Sequence, residues 1–198
     1  DVPFHIRKVT RAFPDHHDAY YKLGVWHEIR SRFAGEFVEE AMAAYQTQTE
    51  VNPVHYAAWS NLARMKMRTG GHAEAVLLCK RVLEAAAAYR VRVLPVLMEA
   101  YQALGRIAEA DAAATRYVSM LDQDTRRLFE DISLVSSRKE KRMLDELQGA
   151  EREAFVHDYW LRNDPSPGTP ENEKRVEHVR RVGNAMVLYS EAVKPWDT

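Results

Sequence analysis

Cysteine is almost absent: one in 198 residues. A single thiol can neither close an intrachain disulfide nor build a thiolate zinc cage. Glycine and proline are scarce at eight each, which argues against collagen-like or low-complexity linker sequence. No apolar run approaches the roughly 18–20 residues of a membrane span. An excess of one charge is missing too. The chain has 28 basic and 29 acidic side chains, with 15 of each in residues 1–124 and 13 against 14 in 125–198. Neither half is a polycation, so a broad electrostatic claim on nucleic acid or an anionic membrane has no basis. No H-E-x-x-H, C-x-x-C, P-loop or G-x-S-x-G string occurs, and the missing C-x-x-C-H argues against covalent haem. What is present is 46% hydrophobic, 29% charged and 10% aromatic residues. That composition predicts an all-α globular chain, either one domain or a small repeat array with a second piece attached.

Self-similarity supplies the organisation. Between Tyr56 and Tyr89, Trp59, Leu62, Ala63, Gly70, His72, Ala75, Cys79 and Val82 fall at offsets that the next stretch repeats. There the corresponding residues are Leu94, Leu97, Met98, Tyr101, Gly105, Ile107, Ala110, Ala114 and Tyr117. An earlier copy has Tyr20, Leu23, Gly24, Ala41, Tyr45 and Pro53, with about five extra residues around Ser31–Gly35 that predict a longer turn. Ala41, Ala75 and Ala110 are 34 and 35 apart, and Gly70 and Gly105 are 35 apart. Small residues let two helices of a hairpin approach closely, large ones fill the space between hairpins, and glycine supplies a left-handed helix end. Helices are predicted near 15–33, 36–51, 55–69, 72–88, 92–104 and 107–121, with Pro95 in a first turn where it is tolerated. Cys79 falls on the small-residue face and reads as a buried hydrophobe. The spacing resembles the tetratricopeptide repeat.

The chain therefore divides into an N-terminal extension (1–14), three repeats (15–124) and a helical C-terminal segment (125–198). In the last, 125–147 reads as charged and helical with a break near Ser136-Ser137. A helix over about 151–162, carrying Phe155, Tyr159 and Trp160, is expected to cover the last repeat's apolar face. In the run that follows, Thr169 is expected to cap a helix with Pro170 at its first position and Glu171 and Glu173 against its dipole. Gly183, at mid-helix, implies close approach to another backbone.

The string Trp160, Arg162, Asp164-Pro165, Pro167, Thr169-Pro170-Glu171-Asn172-Glu173, then Arg181 and Asn184, resembles the bacterial GWxTD domain, over roughly Leu128 to the end. Pro195-Trp196-Asp197-Thr198 looks like its naming motif with proline in place of glycine. The resemblance implies a longer polypeptide continuing past Thr198, an extracytoplasmic location (periplasmic, secreted or lipid-anchored) and, since the family has no established chemistry, no catalytic residue.

Candidate sites follow from the register. The first helix of each repeat lines the groove of a tetratricopeptide array, which here places Tyr21, Lys22 and Val25, then Asn61, Arg64 and Arg68, then Arg92, Val96 and Glu99 in it. Some such arrays clamp a peptide carboxylate with Lys, Asn and Arg; only Asn61 and Arg92 sit at comparable positions. The alternative is an ordinary solvated face. Asp15-His16-His17-Asp18 is the densest set of possible metal ligands, but helical neighbours point about 100° apart and no second His lies four positions on. It reads as a helix start, and no metal or cofactor is expected. The expectation is a non-catalytic scaffold binding other protein subunits, without nucleic acid or a membrane span of its own, and compatible with a membrane-associated complex. The alternative is an enzyme or processing factor using the turn from Asp164 to Glu173, near Arg162 and Arg181.

Overall fold

A computed structural model describes residues 2–34 and 37–193, with side chains for 4–31 and 37–186. Every regular element among the described residues is helical. The chain packs as two compact units, residues 1–104 and 105–198.

The first unit holds α1 (Val2–Ala12), α2 (Ala19–Ala34), α3 (Val38–Val51), α4 (Tyr56–Arg68), α5 (His72–Ala85) and α6 (Arg90–Ala103). Residues 1–14, read as an extension, are mostly α1, an amphipathic helix packed on α2. Each later helix packs on its predecessor, and α6 also packs on α4. The extra residues near Ser31 lengthen α2 to Ala34 rather than forming a long turn; Gly35 and Glu36 lie outside the described residues. Phe37, which caps α3, has φ +72°, a conformation costing a non-glycine residue about 1–2 kcal/mol. Its ring is held under the Arg30 guanidinium at 4.1 Å.

Small residues decide how close these helices come. A Cβ on Gly24 would lie 2.6 Å from ring carbons of Tyr45, which is fully buried. Ala41, Tyr45, Ala58, Leu62 and Met65 form one core cluster against which Tyr21 and Val25 pack. Helix α4 ends in a Schellman turn: Gly70 has φ +82°, and the Gly71 N–H donates to the Lys66 carbonyl at 2.8 Å. Trp59, expected between hairpins, is half-buried beneath the Arg81 guanidinium at 4.0 Å.

Two expectations change around residue 86. The alanine run does not continue α5: Ala86 is extended, Ala87–Tyr89 form one 3₁₀ turn, and Arg90 Nε reaches the Leu83 carbonyl at 3.4 Å. Packing outweighs propensity here, because the turn sets the Tyr89 ring 6.3 Å from that of Tyr56. Helix α6 consequently starts at Arg90, which puts Pro95 in its second turn and removes the N–H that would bond the Val91 carbonyl.

The second unit holds α7 (Ile107–Ser119), α8 (Gln123–Glu130), α9 (Arg138–Glu146), α10 (Gly149–Arg162) and α11 (Glu173–Val193). Gly105 precedes α7 with φ +69°. Asp122 caps α8 through the Thr125 N–H, and Ser137 with Glu140 makes a capping box on α9. The break expected near Ser136 runs from the end of α8 at Glu130 to the Ser137 cap of α9. Ile132, Leu144, Tyr159 and Trp160 form this unit's core cluster. Helix α11, rather than α10, packs along α7, tied by the Arg175–Asp111 ion pair at 2.8 Å. Gly183 is buried.

Candidate functional site

The face built by α2, α4 and α6 carries the predicted groove residues, and it is organised by a carboxylate that sequence reasoning missed. Glu28 is only 4% exposed. Burying a charge demands a partner and hydrogen bonds, and both are present. Arg64 Nη2 lies 2.8 Å from Glu28 Oε1 and 3.0 Å from Oε2. The Tyr45 hydroxyl donates to Oε2 at 2.8 Å. Asn61, itself buried, donates from Nδ2 to that hydroxyl at 3.1 Å and accepts from Arg64 at 3.3 Å. Burial, and then the charge of Glu28, raise the Tyr45 phenol far above its ordinary value. A signal for Glu28 existed: Tyr21, Val25 and Glu28 stand at i, i+4 and i+7, so the groove stripe runs one turn further than the sequence reading took it.

Tyr21 sits beside this network, its ring 4.7 Å from His55 and 6.0 Å from Tyr45, and its N–H bonded to Gln48 Oε1 at 2.9 Å. Burial raises its phenol; the charges of Arg92 and Arg64 oppose the rise. Tyr21, Asn61, Arg64 and Arg92 are thus brought together. Arg92 is exposed. Lys22 instead pairs with Asp18 at 2.9 Å, and Arg68 donates to Ser31 Oγ at 3.4 Å. Glu99 is half-buried on α6. In the His16-His17 region, His16 Nδ1 accepts the Asp18 N–H at 3.2 Å, and Asp18 also meets His55 at 3.1 Å. Burial alone would raise the Asp18 carboxyl, but Lys22 and His55 outweigh it and hold it low.

The second unit's candidate residues form a turn. Asp164 Oδ1 accepts the Ser166 N–H at 2.9 Å. Thr169 Oγ1 donates to the Ser166 carbonyl at 3.0 Å and therefore does not cap a helix. The cap is Asn172: its Oδ1 accepts the Arg175 N–H at 2.8 Å while its Nδ2 donates to the Trp160 carbonyl at 2.6 Å. The expected start at Pro170 thus moves to Glu173, because one amide side chain both caps α11 and ties it to α10. We expect Asn172→Ala to cost about 1–2 kcal/mol and Thr169→Ala under about 0.5 kcal/mol, measured by urea unfolding. The reverse order would restore Thr169 as the cap.

Pro165, Pro167 and Pro170 are exposed, and Glu171 and Asn184 half-buried. Arg162 bonds the Asp158 carbonyl at 3.2 Å; Arg181 pairs with Glu177 at 2.6 Å. Trp196 lies outside the described residues. Asp164 thus shapes the turn, and Asn172 joins α10 to α11.

His178, 5% exposed, faces the Phe129 carbonyl through Nε2 at 3.1 Å and lies 5.2 Å from the Trp160 ring. Burial lowers its pKa, against the opposing pull of the Phe129 carbonyl. The unfolded chain then takes up the proton first as pH falls. The contribution of His178 is fully present above about pH 6.5 and is lost as pH falls through that value toward the folded pKa. His27, also lowered by burial, has the same sign. Urea unfolding should therefore show lower stability at pH 5.5 than at 7.5, with a smaller difference in His178→Gln.

No protein-family model matches the chain, and no curated protein or solved structure is significantly similar to it.

Proposed function

We propose that this chain is a non-catalytic helical-repeat scaffold that binds other protein subunits through the α2–α4–α6 face. The observation that carries the reading is the Glu28–Arg64–Tyr45–Asn61 network. It pairs its own buried charge internally, and burial holds the Tyr45 phenol in its protonated form. What it does is fix the orientation of a surface on which Tyr21 and Arg92 stand, and aromatic and arginine side chains on a rigid face are what protein interfaces draw energy from.

A tetratricopeptide-type array is supported by the recurring alanines Ala41, Ala75 and Ala110, each fully buried, and by the left-handed Gly70 and Gly105. Membership of a larger extracytoplasmic bacterial assembly, membrane-associated or not, rests on the GWxTD-like residues of the second unit. The alternative, an enzyme built on the Asp164–Glu173 turn, is less well supported, since Asp164 Oδ1 accepts the Ser166 N–H and shapes the turn.

The test is native mass measurement of the protein recovered from its own extract, wild type against Tyr21→Ala/Arg92→Glu. The expected result is a complex for wild type and a lone, folded chain for the variant. A wild-type protein that is itself alone and monomeric would overturn the reading.

A further inference from the structure

The second unit contains a cleft of about 780 Å³ that the turn does not use. Its volume lies in the range of small-molecule sites, about 300–1,000 Å³. Phe129, Val156, Trp160 and Val179 supply an apolar wall, with Phe129, Trp160 and Val179 themselves buried. Four arginines also line the cleft, and they fall into two kinds. Arg175 is paired with Asp111 at 2.8 Å, and Arg127, at the surface, lies 3.4 Å from Asp124. Arg126 and Arg152 are half-buried and are held by main-chain carbonyls instead. Arg126 Nη2 donates to Leu121 at 3.1 Å and Ser119 at 3.3 Å; Arg152 Nη1 donates to Leu144 at 2.7 Å.

A carbonyl fixes a guanidinium without cancelling its charge. Each fork carries five N–H donors, and among the described residues neither Arg126 nor Arg152 meets a carboxylate. The two carboxylates of the lining, Glu130 and Glu153, are exposed, where water screens them. The less exposed pair of charges in the lining, Arg126 and Arg152, is thus positive and stands beside an apolar wall. We propose that this cleft binds a small organic anion with an apolar body: a carboxylate carried on a hydrocarbon chain or ring.

The inference stands independently of the scaffold reading, since it concerns another unit. Calorimetric titration of the full chain with decanoate tests it, with decanol as the uncharged control. Saturable one-site binding of decanoate is expected, with decanol at least tenfold weaker. Arg152→Gln should weaken decanoate about tenfold, as expected for a lost charge-assisted hydrogen bond; Arg152→Lys should recover part of that loss. Val156→Glu, which puts a carboxylate in the apolar wall one helical turn beyond Arg152 and within reach of its guanidinium, should abolish binding while circular dichroism stays native. If Arg152→Gln fails to fold, Val156→Glu decides alone. Absence of saturation at millimolar decanoate, equal affinity for decanol, binding of acidic peptides only, or wild-type affinity in Val156→Glu would each overturn the proposal.

Discussion

Glu28→Ala should destabilise the first unit by about 2–3 kcal/mol, read as a shift in its urea midpoint at unchanged slope. Removing one member of a buried pair typically costs about 3–5 kcal/mol, because the other charge is left without compensation. Arg64 keeps 26% of its side chain exposed, so water recovers part of the loss, and the expectation is lowered accordingly. The Tyr45 hydroxyl also loses its carboxylate acceptor. Glu28→Gln, which retains an acceptor, should cost less than Glu28→Ala. Glu28→Leu combined with Arg64→Met should cost least, since a well-packed apolar pair avoids desolvating two charges. A Glu28→Ala loss below about 0.5 kcal/mol would show that the pair contributes only as a surface ion pair does.

Gly24→Ala should cost about 1 kcal/mol net, and its sign is the informative part. In an open helical position the same change gains roughly 0.8–1 kcal/mol, because alanine is the better helix former. Here the added methyl would lie 2.6 Å from two ring carbons of Tyr45, against the 3.5–4.0 Å of an unstrained carbon pair. The ring cannot retreat easily, being fully buried with its hydroxyl tied to Glu28 and Asn61. Overpacking of that kind costs about 1–3 kcal/mol. In a Tyr45→Ala background the clash vanishes, and Gly24→Ala should become neutral or stabilising. A wild-type background in which Gly24→Ala raises the melting temperature would show that α2 and α3 can separate at no cost.

The helices were legible because their signals are local and periodic. Gly70 and Gly105 mark helix ends whatever surrounds them, and Ala41, Ala75 and Ala110 report a register that packing then obeys. What was not legible depends on partners distant in sequence. Glu28 reads as a solvated charge until Arg64, 36 residues away, comes within reach. Asn172 and Thr169 are both credible caps, and only the Trp160 carbonyl, reached by the Asn172 amide, favours the former. Ala86 breaks a run that propensity would keep helical, because Tyr89 has a ring to meet. The candidate site was half visible: the stripe Asn61–Arg64–Arg68 follows from spacing, whereas the carboxylate that organises it does not.

The burial of Cys79 has a practical side. The residue is fully enclosed, and desolvation pushes its thiol up to about 12. At neutral pH almost no thiolate exists there, and thiolate is the reactive form. Maleimide labelling of the folded chain should therefore be far slower at Cys79 than at an exposed thiol. A cysteine placed at Leu134, which is 90% exposed, would carry a single dye per molecule and leave the wild-type thiol in place.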